Sequence, residues 1–294
     1  MNPTLKTMLW PLVMLRRSYD NYLKRNNPEK LFSIYHKRST GTYINTKNPI
    51  TFSDKIAYMS FHTDTSVWSR LADKVRVREY LEECGLKGIA PLLYGVWKSA
   101  DEIDFSSLPT SFVIKTNHGS ATNILVRDKK SVNQAEIRKK LQKWLKIDYG
   151  YMTCQPHYSH IEPLILAEEF LGDGKKPLVD YKFYCFNGNP MYVQVMTDRS
   201  DNTHNVKVSI FDMEWNNHPE YCSKHHEQAV TAKKPVSFSK MMEYARVLSK
   251  PFPFVRVDFY EINGAPVFGE MTFTPGFDTV NDKFEIMAGK LITI

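Results

Sequence analysis

The amino-acid sequence predicts an α+β protein. Three observations lead to this class: helical and strand patterns are mixed along the chain, Asn-Gly pairs join apolar runs as in β-hairpins, and no regular strand–helix alternation indicates a parallel sheet. No repeat of about 20 to 50 residues indicates a solenoid or a propeller. At 294 residues the chain has the length of about two domains. It is therefore long enough to form the core and the cleft of an enzyme.

Periodicity and turn residues place the elements in order. In 71–84, apolar residues recur at about 3.6-residue spacing and Gly85 follows, which predicts a helix. In 131–147, Ser131 is a candidate N-cap, and Ile137 and Leu141 share an apolar face. The predicted elements are a helix over 71–84, strands over 112–115 and 124–128, a helix over 131–147, a strand over 164–171, a hairpin turning at 187–188, a helix over 239–248 and a hairpin turning at 263–264.

Positive charge is concentrated in the first 40 residues, which hold eight Lys and Arg against two Asp and Glu. Their longest apolar run, MLWPLVML at 8–15, is shorter than the roughly 20 residues that cross a bilayer, and no signal-peptide cleavage site follows it. The segment is therefore a basic amphipathic helix that contacts an anionic membrane surface or attracts an acidic substrate, or else a first helix packed on the domain with a solvated basic face.

The cysteines and histidines do not suggest a metal site. The four cysteines are widely spaced and form no CxxC pair, so neither a zinc site nor a disulfide framework is predicted. The histidines do not lie at a zinc-ligand spacing. A reducing cytoplasm fits this cysteine usage, and we expect a cytoplasmic protein, with peripheral contact to the inner face of the membrane as the alternative left open by the basic segment.

Two carboxylates lie in the last predicted hairpin, RVDFYEINGAPVFGEMTFTPG at 256–276. Alternate side chains of a strand share a face. The pattern thus predicts one shared face that contains Arg256, Asp258 and Tyr260 from the first strand and Phe268, Glu270 and Thr272 from the second. If the loop around Asn263-Gly264 has an odd number of residues, Asp258 lies opposite Glu270.

Opposed carboxylates repel each other unless a cation lies between them. Mg²⁺ is a hard cation that is commonly held by one or two carboxylates together with phosphate oxygens. The hairpin is therefore expected to form the floor of a site for a Mg²⁺–nucleotide complex. The alternative is that Asp258 pairs with Arg256 or Lys283 and that Glu270 is solvated.

Two other stretches could contact a nucleotide. Lys115 ends an apolar strand and precedes the polar loop TNHGSATN. The charge of Lys115 and the backbone N–H groups of the loop suit phosphate oxygens, and the alternative is that Lys115 is simply solvated. The strand end AEEFL at 167–171 could bind adenine through backbone groups and apolar side chains, or be an ordinary strand end. The patterns GxxxxGK[ST] and GxGxxG are absent, so a P-loop or a Rossmann site is not supported.

The order of these stretches resembles the ATP-grasp superfamily and, more closely, its TupA-like branch of teichuronopeptide biosynthesis. The resemblance is carried by LADKVRVREYL, LPTSFVIKTNHGSATNILV, LILAEEFL, DYKFYCFNGNP and VRVDFYEINGAPVFGEMTFTPG, from about residue 49 to the end. It implies the ATP-grasp fold, with a nucleotide cleft between two α+β lobes with antiparallel sheets. The implied division is a basic helical segment (1–50), an N-terminal lobe (51–110), a small lobe with the phosphate loop (111–170) and a large lobe with the metal-binding hairpin (171–294).

The resemblance also implies residue roles. Lys74 and Lys115 would contact the ATP phosphates, Glu168 would accept the adenine amino group, and Asp180 would meet the ribose. The implied ATP-binding residues are Lys74, Lys115, His118, Gly119, Ser120, Glu168, Glu169, Phe170, Leu171, Asp180 and Lys182. The implied metal ligands are Asp258, Glu270 and Thr272, the last at a position where many ATP-grasp enzymes have Asn. The implied catalytic residues are Arg256, Arg199 and Lys182.

The implied cofactors are ATP and Mg²⁺, and the implied activity is an ATP-dependent carboxylate–amine ligase. Such an enzyme would form an amide on a sugar acid of a cell-surface polysaccharide through an acylphosphate. The expected partners are a sugar acid or glycan and an amine or amino acid, with no nucleic acid. Arg199 and His157 are candidates for holding an anionic acceptor. The alternatives are an ATP-dependent sugar kinase, a glycosyltransferase of polysaccharide biosynthesis and a non-catalytic nucleotide-binding scaffold.

Overall fold

The computed structural model describes residues 3–172, 177–198, 206–226, 228–229 and 232–294, with side chains from residue 13 onward. The helices are α1 (Pro3–Asn26), α2 (Pro28–Thr40), α3 (Phe52–His62), α4 (Ser66–Ala72), α5 (Val77–Glu83), α6 (Gln134–Leu145), α7 (Tyr149–Thr153), α8 (Pro156–Ser159), α9 (Phe238–Ser249) and α10 (Asp282–Leu291). The strands are β1 (Leu93–Trp97), β2 (Phe112–Thr116), β3 (Asn123–Val126), β4 (Ile165–Glu169), β5 (Asp180–Phe186), β6 (Asn189–Thr197), β7 (Lys207–Asp212), β8 (Phe254–Ile262) and β9 (Ala265–Thr272).

The strands form two antiparallel sheets. The smaller sheet has four strands in the order β1-β4-β2-β3, and the larger has five in the order β7-β6-β5-β8-β9. Helices pack on these sheets without strand–helix alternation, so the predicted α+β class with antiparallel sheets is confirmed. β1 comes from the stretch that the sequence division places in the N-terminal lobe, and it pairs with β4 in the smaller sheet.

Both predicted Asn-Gly turns close two-residue hairpins. Asn187 and Gly188 join β5 to β6, and Asn263 and Gly264 join β8 to β9, all with φ between 48° and 76°. Positive φ at both central positions is the type I′ turn, which matches the twist of the flanking strands. Asn tolerates this conformation and Gly adopts it without a steric penalty, so the local sequence is sufficient to place these turns.

The larger sheet is covered on both faces by aromatic side chains. On one face Phe183 packs against Phe238 of α9, with ring centroids 5.6 Å apart. On the other face Tyr184 packs against Phe284 of α10 at 5.3 Å, and Phe52 of α3 joins the same cluster. Because each buried Phe contributes about 1.5–3 kcal/mol, this core is a major source of stability. It fixes β5 and β8, which carry Asp180, Lys182, Arg256 and Asp258 of the site described below.

The smaller sheet packs on α6, whose apolar face is the predicted one. Ile137 and Leu141 are buried against β2 and β4. The predicted start of this helix was wrong by a few residues, because the N-cap is Asn133 and not Ser131. The Asn133 side chain accepts the N–H groups of residues 135 and 136, whereas the Ser131 hydroxyl donates to the carbonyl of Asp128.

The predicted helix over 71–84 is divided in two by a turn that contains Lys74. Asp73 Oδ1 accepts the N–H of Val75 at 2.8 Å and a side-chain N–H of Asn117 at 2.9 Å. The prediction of one helix was wrong because Asp73 ends α4 with an extended backbone and its side chain accepts the N–H groups of the following turn. Asp73 is held there by Asn117, 44 positions away. Lys74 therefore projects from a turn and not from a helix face.

The N-terminal helices form a small cluster of their own. Leu23 of α1 and Leu31 and Phe32 of α2 are buried together with Ala57 of α3 and Cys154. Asn27 caps α2 at its start, and Gly41 ends it with φ of 89°. None of the helices in the described part of the chain has the length and apolar character needed to cross a membrane.

Candidate active site

A β-bulge sets the register of the β8–β9 hairpin. The two-residue turn alone would place Asp258 opposite Gly269, but a register shift next to Asp258 places it opposite Glu270. The predicted pairing of Asp258 with Glu270 is confirmed, although the loop has two residues and the bulge supplies the extra one. A Cβ at Gly269 would lie 3.1 Å from the Asp258 carbonyl oxygen, so a side chain is disfavoured there. The bulge also turns Phe268 into the apolar core, away from Glu270.

The cation between the two carboxylates is Arg256, which lies on the same face. Its guanidinium donates to both oxygens of Asp258 at 2.7 and 2.8 Å, to Glu270 at 3.3 Å and to the Thr272 hydroxyl at 3.1 Å. Burial acts to lower the pKa of Arg256, but Asp258 and Glu270 raise it above its usual value. The pairing of Asp258 with Arg256, which the sequence left open as the alternative to a metal ion, is therefore present.

Lys182 adds a second cation to the same cluster. It lies directly across from Asp258 on β5, and its Nζ is 2.5 Å from Asp258 Oδ2 and 3.4 Å from Asp180 Oδ1. Both Lys182 and Asp180 are buried. Asp258 therefore pairs with Arg256 and Lys182, and Asp180 lies beside Lys182 on the face that carries the hairpin charges.

Glu270 is the accessible member of the carboxylate pair. Its side chain is 42% exposed, whereas that of Asp258 is 5% exposed. Burial acts to raise the pKa of Glu270, but Lys182, Lys74 and Arg256 overcome this effect and lower it to about 2. Glu270 is thus ionised across the physiological pH range and can accept a ligand from the cleft.

Lys74 and the loop after β2 lie on the other side of Glu270. Lys74 Nζ donates to the Gly119 carbonyl at 2.6 Å, and burial lowers the pKa of Lys74 while Glu270 opposes this shift. The His118 ring is buried and contacts the Ile147 carbonyl at 3.0 Å, so it anchors the loop from below. Ser120 is the exposed residue of the predicted phosphate-contacting set in this loop.

Asn117 is a residue of this loop that sequence reasoning missed. Its amide group donates to Asp73 and to the Glu162 carbonyl at 3.0 Å, and accepts the Leu164 N–H at 2.7 Å. It is fully buried. These contacts fasten the Lys74 turn to the strand that carries Glu168. The only available signal was an amide in a polar loop, which does not distinguish a buried anchor from a solvated residue.

Lys115 and Glu168 form an ion pair between adjacent strands. Arg78 of α5, which sequence reasoning also missed, contacts the second oxygen of Glu168 at 3.3 Å. Glu169 is exposed, and its backbone N–H donates to Leu92 of the β1 edge at 2.8 Å. Phe170 and Leu171 are half-buried beyond it. The structure thus pairs Lys115 with Glu168 on the two central strands of the smaller sheet, and it places Glu169 at the end of β4.

Two tyrosines from the α7–α8 segment complete the cleft. Tyr149 and Tyr158 pack edge to face with ring centroids 5.0 Å apart. The Tyr149 ring would meet a Cβ on Gly119 at 3.1 Å, and its phenol neighbours Ser120. Burial raises the pKa of both phenols, and Glu270 raises it further. The segment carries no recognisable motif, so only the tertiary structure reveals this pair beside Glu270.

Arg199 and His157 are the two residues that the sequence suggests for binding an anionic acceptor. Arg199 lies outside the described residues. His157 is fully buried against Trp68 and Tyr158, and burial lowers its pKa to about 3. Its ring is therefore neutral and inaccessible, so the suggestion that it holds an acceptor was wrong.

Four cations and two hairpin carboxylates lie near one another, with Lys74 close to both Lys115 of the smaller sheet and Glu270 of the hairpin. The cations are Lys74, Lys115, Lys182 and Arg256, which suit a polyphosphate. Among the described residues, no group of three or more His, Cys, Asp and Glu side chains is arranged to hold a metal ion by itself. A cleft of this kind, between two antiparallel sheets, is that of an ATP-grasp protein.

Comparison with known families places the chain within that class. It belongs to the TupA-like ATPgrasp family, whose model matches residues 54–293. The match confirms the resemblance seen in the sequence motifs. It covers the Lys74 turn, the phosphate loop and the β8–β9 hairpin. A search of curated proteins gave no match.

Several solved structures are distantly similar. A D-alanine–D-alanine ligase from Bacillus anthracis complexed with ATP is 13% identical over 70% of this chain and 56% of its own, with a TM-score of 0.44. An L-amino acid ligase from Bacillus licheniformis is 14% identical over 76% of this chain and 48% of its own, with a TM-score of 0.49. The chain spans about half of the length of these proteins. With TM-scores this low, the assignment rests on the family match.

Proposed function

We propose that the protein is an ATP-dependent carboxylate–amine ligase that forms an amide on a sugar acid of a cell-surface polysaccharide. The observation that carries the proposal is the convergence of Lys74, Lys182 and Arg256 on the accessible, ionised carboxylate of Glu270. A module that only binds nucleotide does not need carboxylates among its phosphate-binding cations. The sugar-acid class follows from the resemblance to the TupA-like branch.

ATP would occupy the cleft with its phosphates among the lysines. In the structure Glu168 pairs with Lys115 and Asp258 with Lys182, so both ammonium groups are held in place by contacts within the protein. Such prior placement lowers the conformational entropy lost when the phosphates bind. The backbone of the Gly119–Ser120 loop would contact phosphate oxygens, while the strand end at 168–171 would contact adenine.

The hairpin residues fit a Mg²⁺ ion, which prefers oxygen ligands. Glu270 is ionised and exposed, and the Thr272 hydroxyl lies 3.2 Å from its Oε1. Asp258 is the opposing carboxylate, although Arg256 and Lys182 contact both of its oxygens. Glu270, with the Thr272 hydroxyl beside it, is therefore the group that would hold Mg²⁺, and Asp258 is the further ligand that the family resemblance implies. When bound, Mg²⁺ would neutralise phosphate charge and act as a Lewis acid.

The proposed reaction has two steps. An oxygen of the sugar-acid carboxylate attacks the γ-phosphorus, the bond to the bridging oxygen breaks, and ADP leaves. The amine then attacks the acyl carbon, and inorganic phosphate leaves with the electron pair of the broken C–O bond while the amine loses a proton. Arg256 and Lys182 would stabilise negative charge on the transferring phosphoryl group. Neither step requires a covalent intermediate on the enzyme.

The test measures ADP release from Mg²⁺–ATP across a panel of sugar acids and amines, with hydroxylamine added to trap an acylphosphate. We expect one acid to give ADP and a hydroxamate, and Glu270→Ala to lower the rate roughly 100- to 1000-fold. Glu243→Ala, on the exposed side of α9, serves as the control.

Three results would overturn the proposal. ADP release without a hydroxamate, with phosphate transferred to a hydroxyl, would indicate a kinase. Turnover of a nucleotide sugar without any need for ATP would indicate a glycosyltransferase. Full activity of Glu270→Ala would remove the assigned metal site.

A further inference from the structure

The exposed surface of α1 combines apolar and basic side chains. Leu15, Tyr19 and Tyr22 are 67%, 47% and 60% exposed. Their spacing of four and three residues puts them on one face of the helix. Tyrosine carries an apolar ring with a polar tip, a combination that suits the boundary between water and lipid. Within the described part of the chain, no other element covers this stripe.

Arginines border the stripe on both sides. At about 100° per residue, Arg16 lies roughly a quarter turn from Leu15 in one direction and Arg25 roughly a quarter turn in the other. Arg16, Arg17 and Arg25 are exposed. Among the described residues, none of the three forms an ion pair. The face is thus apolar in the middle and positively charged along its borders.

A neighbouring side of α1, that of Leu23 and Asp20, attaches the helix to the protein. Leu23 is 3% exposed and packs on α2, and Asp20 accepts two hydrogen bonds from Arg38 at 2.7 and 3.0 Å. The acidic Asp20 is therefore neutralised and turned away from the stripe. Glu29, the other acidic residue before position 40, contacts Thr46 and His62. Both acidic residues of this segment are thus hydrogen-bonded to side chains that lie outside α1.

We propose that α1 docks this protein on an anionic lipid surface. Leu15, Tyr19 and Tyr22 would insert at the headgroup boundary, and Arg16 and Arg25 would contact lipid phosphates. Arg17, on the far side of the helix, would add to the positive charge near the surface. Charge complementarity is the reason for preferring an anionic bilayer, and the exposed apolar stripe is the reason for preferring a bilayer over a dissolved polyanion. The proposal does not depend on the reaction carried out in the cleft.

The test is sedimentation of the full-length protein with vesicles. Vesicles of phosphatidylcholine mixed with phosphatidylglycerol should bind the protein, and vesicles of phosphatidylcholine alone should bind it weakly. At about fivefold per basic residue, the triple variant Arg16→Gln, Arg17→Gln, Arg25→Gln should bind roughly 100-fold more weakly. The matched control removes the same charge from α6, by Lys139→Gln, Lys140→Gln and Lys143→Gln, and should bind like the unmodified protein.

A second variant separates lipid from other polyanions. Leu15→Gln with Tyr22→Gln leaves the charge unchanged and should weaken vesicle binding, while circular dichroism should show an unchanged fold because both side chains are exposed. Equal binding to neutral vesicles, or an equal loss in the α6 control, would overturn the proposal. A third result would also overturn it. If the Leu15 and Tyr22 variant still bound vesicles, and the protein bound polygalacturonate or a DNA duplex as tightly as anionic vesicles, charge alone would explain the binding.

Discussion

Replacing Arg256 with Met removes the side chain that holds the two hairpin carboxylates together. The guanidinium donates to Asp258, Glu270 and Thr272, and it is 9% exposed. Met fills much of the same volume but leaves these acceptors without their donor. Because Asp258 is buried, water cannot fully replace the lost hydrogen bonds. The variant should therefore be less stable than the natural protein.

The expected loss is about 3 kcal/mol. Removing one partner of a buried ion pair typically costs about 3–5 kcal/mol, because the other charge stays buried. Lys182 still contacts Asp258 at 2.5 Å, which places the expected value at the lower end. At about 2–4 °C per kcal/mol for chains of comparable length, the midpoint of thermal unfolding should fall by roughly 6–12 °C.

Arg38 provides a matched control for this prediction. It makes the same two-pronged contact with Asp20, at 2.7 and 3.0 Å, but its side chain is 30% exposed. Exposed ion pairs contribute about 0–1 kcal/mol, so Arg38→Met should shift the midpoint by only a few degrees. The assay is unfolding of each variant at neutral pH, followed by circular dichroism with heat and with urea.

A double variant tests whether the unpaired charge is the cause. Arg256→Met combined with Asp258→Asn removes both partners, so the two losses should not add, with a coupling of about 0.5–3 kcal/mol. The reasoning would be refuted if Arg256→Met stayed within about 1 kcal/mol of the natural protein. It would also be refuted if the double variant lost the full sum of the two single effects.

Three further predictions follow. Because the folded-state pKa of Glu270 is lowered from 4.5 to about 2, its contribution to stability is present above pH 4.5 and is lost as the pH falls toward 2. Over that pH range the thermal midpoint of Glu270→Gln should therefore fall less steeply with decreasing pH than that of the natural protein, whereas the control Glu243→Gln should fall like the natural protein. Equal slopes for Glu270→Gln and the natural protein would contradict this. Gly119→Ala places a methyl group 3.1 Å from the Tyr149 ring, so the KM for ATP should rise roughly tenfold. The control Gly276→Ala, whose new methyl group has a nearest contact of 3.5 Å, should leave the KM unchanged, and equal KM values for the two variants would refute the packing argument. Phe284→Ala, in the aromatic core, should lower the free energy of unfolding by about 3–5 kcal/mol in urea titrations, and a loss below about 1 kcal/mol would show that the site collapses.

Several features of the fold follow from short stretches of sequence. The turns at Asn187-Gly188 and Asn263-Gly264 depend on residues that tolerate positive φ, a property of the residues themselves. The apolar face of α6 depends on spacing within a few turns of one helix. The family motifs are also present in the sequence, and the resemblance that they carry implies one cleft for Lys74, Lys115, Asp258 and Glu270.

Other features depend on residues far apart in the chain. The turn that projects Lys74 exists because Asp73 is held by Asn117, and Asp258 meets Glu270 because a bulge at Gly269 corrects the register of a two-residue turn. Tyr149 lies beside Glu270 only because α7 is packed into the cleft.

The sequence by itself determined the class, the hairpins, the family and most of the charged residues of the cleft. The tertiary structure decided which charges pair: Arg256 and Lys182 with Asp258, and Arg78 and Lys115 with Glu168. The physical reason is that backbone preferences act over a few neighbouring residues, whereas the energy of a buried charge depends on every group that the fold brings within a few ångströms.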